Sequence, residues 1–205
     1  SEGEMYAVTG ISGATVLDGK VVRLLRARTQ SDLAKLHPEA AQPVVENAGF
    51  ESGALSPWTA YGSTDGVITG TWFGDITAHS GFCFAGTATD GGSRSGGYYQ
   101  RVACAPGQTC AARVMSRVFH GANSAASTLS RVGLDPAGGT DPASAAIAWS
   151  AWDSQEAQYT SVWRLIETPA VAASCGFVTV FLDFVQTENA GWHINCFDDA
   201  SITAL

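Results

Sequence analysis

Nine short segments, many of them rich in β-branched and aromatic residues, follow one another between residues 67 and 202, and from Asn47 onward the pattern is β throughout. They are Val67–Phe73, Gly81–Ala85, Tyr98–Ala103, Cys110–Phe119, Ser127–Leu134, Ala145–Trp149, Tyr159–Glu167, Phe177–Phe184 and Ile194–Ile202. Turn-forming clusters separate many of them: Thr89–Gly97, Gly121–Ala126, Asp135–Pro142 and Thr187–Gly191. Strands this short and this regularly punctuated cannot build βαβ units, which need long helical crossovers. They predict an all-β, antiparallel sandwich or barrel.

The first 43 residues read differently. Tyr6–Val16 and Lys20–Leu25 are β-like, and the Asp18-Gly19 pair between them signals a two-residue hairpin. A short helix is expected from Thr29, with Thr29 or Ser31 as its cap and His37-Pro38 as its end. The expected division is therefore an N-terminal β-rich extension over 1–43 and a sandwich over 44–205. An appendage of this size stays ordered only if it docks, on its own sandwich or on the sheet edge of a neighbouring subunit.

Charge narrows the partners. A net charge of −8 with only 11 Lys plus Arg repels phosphate backbones, so nucleic-acid binding is not expected. No apolar run approaches the length of a membrane span. Carboxylate-rich composition does suit Ca²⁺, a hard cation that prefers oxygen ligands.

Five cysteines stand at 83, 104, 110, 175 and 196. Cys104 and Cys110 flank a Pro-Gly turn, a spacing that lets two sulfurs meet across a hairpin. One further bridge is expected among the other three, with Cys83 and Cys196 as the assigned pair. Disulfides imply an oxidising, extracellular setting, so the chain is expected to be secreted or displayed at a cell surface.

Several boxes carry a family resemblance. Asn47-Ala48-Gly49-Phe50-Glu51 is followed by Pro57-Trp58, then Ala78-His79-Ser80-Gly81, then Tyr99-Gln100-Arg101-Val102 before Pro106-Gly107, and finally Phe197-Asp198-Asp199-Ala200-Ser201-Ile202. In order and spacing this resembles the carbohydrate-binding-module jelly rolls of the galactose-binding-like superfamily. Val132–Pro142, Trp149-Ser150 and Val178–Leu182 are similar to modules on bacterial envelope proteins. The resemblance implies a structural Ca²⁺ where the first and last strands meet, held by Glu51, by Asp198 or Asp199, and by the backbone near Ser80. Two adjacent acids at a strand end repel unless a cation or hydrogen-bond donors neutralise them.

Sugar recognition needs rings for the apolar face of a pyranose and polar groups for its hydroxyls. Trp72, Tyr98, Trp152 and Trp192 are the candidate rings and Arg117 a candidate polar partner. Trp152 and Trp192, set among Asp, Ser, Gln and Asn, are the rings expected to be exposed, whereas Trp58, Trp149 and Trp163 lie in core-like patterns. No catalytic residues are expected. The sequence lacks a Gly-x-Ser-x-Gly elbow, a phosphate loop, and any His-x-His or HExxH spacing among its four histidines.

Two functions follow as expectations. One is a non-catalytic extracellular protein that binds polysaccharide or glycan at a cell surface or matrix. The other is a homo-oligomeric subunit of a filament, pilus or sheath, in which the N-terminal extension pairs with a neighbour.

Overall fold

The computed structural model describes residues 42–120, 128–154, 162–187 and 191–205 in full, together with the backbone of four strands nearer the N-terminus. The chain divides into two compact units, Ser1–Ala40 and Ala41–Leu205.

In the first unit, β1 (Tyr6–Val8) pairs with β4 (Leu33–Lys35), and β2 (Ile11–Leu17) pairs with β3 (Lys20–Arg26). Leu17 stands opposite Lys20, the register that the Asp18-Gly19 signal predicts. The expected helix from Thr29 is corrected: residues 29–32 lie outside the described residues, and Leu33–Lys35 are strand. Local helix preference yields there to pairing with Tyr6–Val8, since short-range propensity is a weak prior against a ladder.

The second unit is the sandwich, and among its described residues there is no helix. Its strands are β5 (Thr59–Gly62), β6 (Gly66–Thr69), β7 (Cys83–Asp90), β8 (Arg94–Ala103), β9 (Thr109–His120), β10 (Thr128–Asp135), β11 (Ala148–Trp149), β12 (Arg164–Glu167), β13 (Val171–Ala172), β14 (Phe177–Gln186) and β15 (Trp192–Ala204). One sheet runs β11-β10-β14-β8-β5 and the other β12-β9-β15-β7-β6, with β13 also on β9; every pair is antiparallel.

Alternation builds the core. Val178, Val180, Leu182 and Phe184 of β14 face Cys110, Ala112 and Val114 of β9 and Phe197 of β15 within one buried cluster. The intervening residues Thr179, Phe181 and Asp183 of β14 point the other way and are also covered, which is why the strand reads as largely apolar rather than as a clean alternation.

The opening box is a plug. Asn47 adopts a left-handed φ of 47°, its amide donates to the carbonyls of Ala54 and Ser56, and its own carbonyl accepts the Trp58 indole N–H at 3.1 Å. This turn drives Phe50 into the core, stacked on Trp58 with ring centroids 5.6 Å apart. The closing box meets it there, with Ala200 N–H donating to the Ala48 carbonyl at 3.0 Å.

Sheet parity corrects one cysteine pairing. Cys83 faces the interior between the sheets, whereas Cys196 belongs to a second cluster on the outer face of the same sheet. Cys196 also pairs with Gly86, three residues further along β7. Side chains on opposite faces cannot meet in a disulfide without rebuilding the strands, so Cys83 and Cys196 are not partners.

Candidate functional site

A single excursion positions two sets of candidate side chains. Residues 70–82 leave β6 and return to β7, closed by Gly70 N–H to the Phe82 carbonyl at 2.9 Å. Reciprocal backbone bonds between Trp72 and Ile76, at 2.7 and 2.9 Å, fold the excursion back on itself. Ile76 is buried against Phe84, Ile194 and Cys196 on the outer face of the six-stranded sheet. Trp72 lies over Gly86, where a Cβ would come 2.7 Å from the indole, so only glycine lets the ring settle. Trp163 pins the far side by donating its indole N–H to the Thr77 carbonyl at 3.1 Å.

Phe73 follows with a left-handed φ of 46°, which turns its ring outward. Its centroid lies 4.8 Å from that of Trp192, and the two rings are 45% and 42% exposed. They border a 220 Å³ hollow lined also by Asp75, Ile76, Phe119 and Ile194. Asp75 Oδ2 stands 4.0 Å from the Arg117 guanidinium, whose side chain rises from the adjacent strand β9. The result is a shelf of two aromatic rings beside a carboxylate and a guanidinium. Apolar surface with a few convergent polar groups is the general form of a small-ligand site.

Of the five sequence-derived sugar candidates, the fold brings Trp72 and Trp192 to the two sides of Phe73, and Arg117, its side chain 13% exposed, reaches the shelf through Asp75. Trp72 supports the shelf rather than forming its surface. Tyr98 is corrected: it is fully buried, with its hydroxyl donating to the Gly86 carbonyl at 3.1 Å and accepting from Gly66 N–H at 3.2 Å. Even-numbered positions of β8 aim between the sheets, so no ligand reaches this ring. Phe73 was not foreseen. The signal available for it was an aromatic pair bracketed by Gly70 and Gly74, a pattern that forces rings onto a turn.

Trp152 is 39% exposed but lies elsewhere, beside the five-stranded sheet. The Arg131 guanidinium is held between the Trp149 and Trp152 rings, 3.9 and 4.0 Å from their centroids. Arg131 Nε donates to Asp183 Oδ2 at 2.7 Å, and the Tyr61 hydroxyl donates to Asp183 Oδ1 at 3.0 Å. Burial pushes the Asp183 carboxyl above its ordinary range while Arg131 pulls it down. Burial, and then the Asp183 charge, push the Tyr61 phenol up. Trp149 is not a core ring: it covers Gly133 on the outer face of this sheet.

The other end of the 70–82 excursion meets the acidic boxes. Glu51 Oε1 accepts the N–H groups of Phe82 and Cys83 at 3.0 and 2.9 Å. Asp198 Oδ2 accepts those of His79 and Ser80 at 2.8 and 3.2 Å, and Oδ1 that of Asp199 at 2.8 Å. Asp199 accepts the Ser80 hydroxyl at 2.7 Å and contacts His79 Nδ1 at 2.6 Å. A shift of register between Asp198 and Ser201, with Asp199 at a φ of 48°, turns both acids toward the excursion.

Two glycines make room for these acids. A Cβ on Gly81, whose φ is +62°, would lie 2.4 Å from the Glu51 carboxyl carbon, and one on Gly49 would lie 3.2 and 3.3 Å from Asp199 and Asp198 Oδ1. Burial, with the neighbouring Asp199 adding to it, pushes Asp198 up to about 6 despite its N–H donors. The donors at hand are oxygens, the chemistry Ca²⁺ takes, and the two cradles fit a cluster built around carboxylates. Among the described residues no three His, Cys, Asp or Glu side chains are placed to share a metal by themselves, so backbone carbonyls would have to complete any shell.

No family model matches the sequence, and no curated protein matches it. Solved structures do match. TmCBM61, solved in complex with β-1,4-galactotriose, superposes with a TM-score of 0.59 at 18% identity, covering 80% of this chain and 100% of that one. The fold is a carbohydrate-binding-module-like β-sandwich. Looser likenesses include a module from the β-sandwich superfamily of carbohydrate-binding modules (TM-score 0.44, 14% identity, 94% of this chain and 74% of that one). Another is the K3 adhesin domain of Lys-gingipain from Porphyromonas gingivalis (0.49, 14%, 80% and 98%).

Proposed function

We propose that this chain is a non-catalytic, extracellular carbohydrate-binding protein that docks glycan on the Trp192–Phe73 shelf. The observation that carries this reading is the pair of exposed rings set beside Asp75 and Arg117 on a carbohydrate-binding-module-like fold. The rings would stack on the apolar face of a sugar, and the carboxylate and guanidinium would take its hydroxyls. Trp152, backed by Arg131, is a separate ring of the same kind. Location at a cell surface or matrix accords with this fold.

We further propose that Glu51, Asp198 and Asp199, with the backbone around Ser80, hold a structural Ca²⁺. Bound there, the ion would neutralise adjacent carboxylates and tie the excursion to the closing strand; it would have no part in chemistry.

The test is affinity electrophoresis and pull-down against a polysaccharide panel, beginning with β-1,4-galactan because the neighbouring module was solved with a galactotriose. Trp192→Ala with Phe73→Ala should weaken binding at least tenfold, about 1.4 kcal/mol, with an unchanged far-UV spectrum. Full retention in that variant would reject the shelf. Absence of binding to any glycan by the intact chain would reject the function.

A second reading is self-assembly. It is favoured by the seven-pair β2–β3 ribbon in the first unit, since a two-stranded sheet is marginal in water until another strand or surface covers it. Light scattering tests it: a monomer at high concentration would dismiss it.

A further inference from the structure

The β8–β9 turn is where the chain leaves the five-stranded sheet and enters the six-stranded one. Cys104 and Cys110 stand at its two stems, both buried in the interior cluster. Their Sγ atoms are 3.2 Å apart. A disulfide bond is ~2.05 Å long, so joining them closes a gap of about 1 Å, within reach of small side-chain rotations.

The backbone around the pair is fixed from outside the turn. Cys104 N–H donates to the Gly176 carbonyl at 3.1 Å, Gly107 N–H to the Ala173 carbonyl at 2.7 Å, and Ala173 N–H to the Gln108 carbonyl at 2.9 Å. Within the turn, the Gln108 side-chain oxygen accepts from Ala105 N–H at 3.2 Å and from the Cys104 thiol at 3.3 Å. The stems are therefore held in register without any bridge.

The remaining cysteines have other neighbours. Cys83 contacts the Thr69 hydroxyl at 3.6 Å, and Cys175 points to the carbonyls of Ala137 and Phe177 at 3.3 and 3.4 Å. Cys196 sits on the outer face among Phe84, Ile76 and Ile194. Among the described residues no other two sulfurs are in contact.

We propose that Cys104 and Cys110 form an intramolecular disulfide that staples the two sheets together at their crossover, leaving Cys83, Cys175 and Cys196 as thiols. The oxidant is a small-molecule disulfide, oxidised glutathione in the test. One cysteine thiolate displaces a glutathione thiolate to give a mixed disulfide. The second cysteine then gives up its proton and displaces the other glutathione, so one protein S–S bond replaces two S–H bonds and two glutathione thiols are released. Burial and the neighbouring Cys104 sulfur push the Cys110 thiol up to about 12, which keeps it protonated once the fold has closed.

The experiment refolds the full chain with and without oxidised glutathione. The oxidised chain should be lighter by two hydrogens, yield a linked Cys104–Cys110 peptide, and show three alkylatable thiols in denaturant against five after reduction. Closing so short a loop should raise Tm by roughly 5 °C, a shift abolished by dithiothreitol. The Cys104→Ala, Cys110→Ala double variant should melt at one temperature under both conditions. If that variant fails to fold, the thiol count and the reductant shift of the natural chain still decide. Five free thiols after oxidation, or linkage of either cysteine to position 83, 175 or 196, would overturn the proposal.

Discussion

Replacing Arg131 by Met probes a largely buried ion pair on the five-stranded sheet. Its guanidinium bonds Asp183 at 2.7 Å, with side chains 25% and 12% exposed, and fills the gap between Trp149 and Trp152. Removing one partner of a fully buried pair costs about 3–5 kcal/mol; partial exposure of Arg131 brings this to about 2. Loss of two cation–ring contacts adds about 1 kcal/mol, while Met keeps the aliphatic stem. A total of about 3 kcal/mol should lower Tm by roughly 6–12 °C in a chain of this size.

The pH dependence carries a sign. Asp183 is already held above its ordinary range by burial, against the pull of Arg131. Without Arg131 only the Tyr61 hydroxyl still opposes that burial, and the folded state binds the Asp183 proton more tightly still. A carboxyl whose folded value lies above the unfolded one, about 3.9, favours folding as pH falls through the folded value. The variant's deficit should therefore shrink between pH 8 and pH 5, and Arg131→Met with Asp183→Asn should recover most of it. Urea titrations followed by tryptophan fluorescence at the two pH values measure both effects. A variant as stable as the natural chain at pH 8, or a deficit that widens on acidification, would refute the reasoning.

Further outcomes are expected elsewhere. Gly97→Ala should yield little soluble protein, because its Cβ would lie 1.8 Å from the Leu182 carbonyl oxygen across the β8–β14 ladder; Gly176→Ala, with open space around it, should express and melt normally. Tyr98→Phe should cost about 1–2 kcal/mol by leaving the Gly86 carbonyl and Gly66 N–H without their hydroxyl, yet leave glycan pull-down unchanged. Adding CaCl₂ to chelator-treated protein should raise Tm, by the equivalent of about 2.7 kcal/mol at a hundredfold excess over Kd, and Glu51→Gln should remove the response in a calcium-titrated melt.

The sandwich was legible because its strands obey a period of two and its turns are marked by Gly, Pro and Asp. What escaped was whatever depends on a single residue of register. Tyr98 and Tyr99 are adjacent and chemically equal, and only the pairing of β8 with β14 decides which faces the core. Parity likewise parted Cys83 from Cys196. The glycines at 96 and 97 read as loop by composition, yet they lie within β8, where Tyr61 and Leu182 leave no room for side chains. The strand expected to run from Val67 to Phe73 stops at Thr69, because Gly70 (φ +78°) turns the chain into the excursion. That turn made the shelf, and no periodicity announces it. The acidic boxes were recognisable by order and spacing, but their pairing with the N–H groups of His79, Ser80, Phe82 and Cys83 became visible only once the strands were aligned.

The excursion over residues 70–82 also has an evolutionary consequence. Trp72, Phe73 and Asp75 sit near its start and His79 and Ser80 near its end, with Ile76 as the anchor between. A single insertion or exchange of this segment would therefore alter the proposed glycan shelf and the proposed ion site in one step, while the strands beneath kept their pairing. Relatives of such a chain can diversify by swapping a cassette of thirteen residues, and a designer can do the same by preserving Gly70, Ile76, Gly81 and the receiving glycine at position 86.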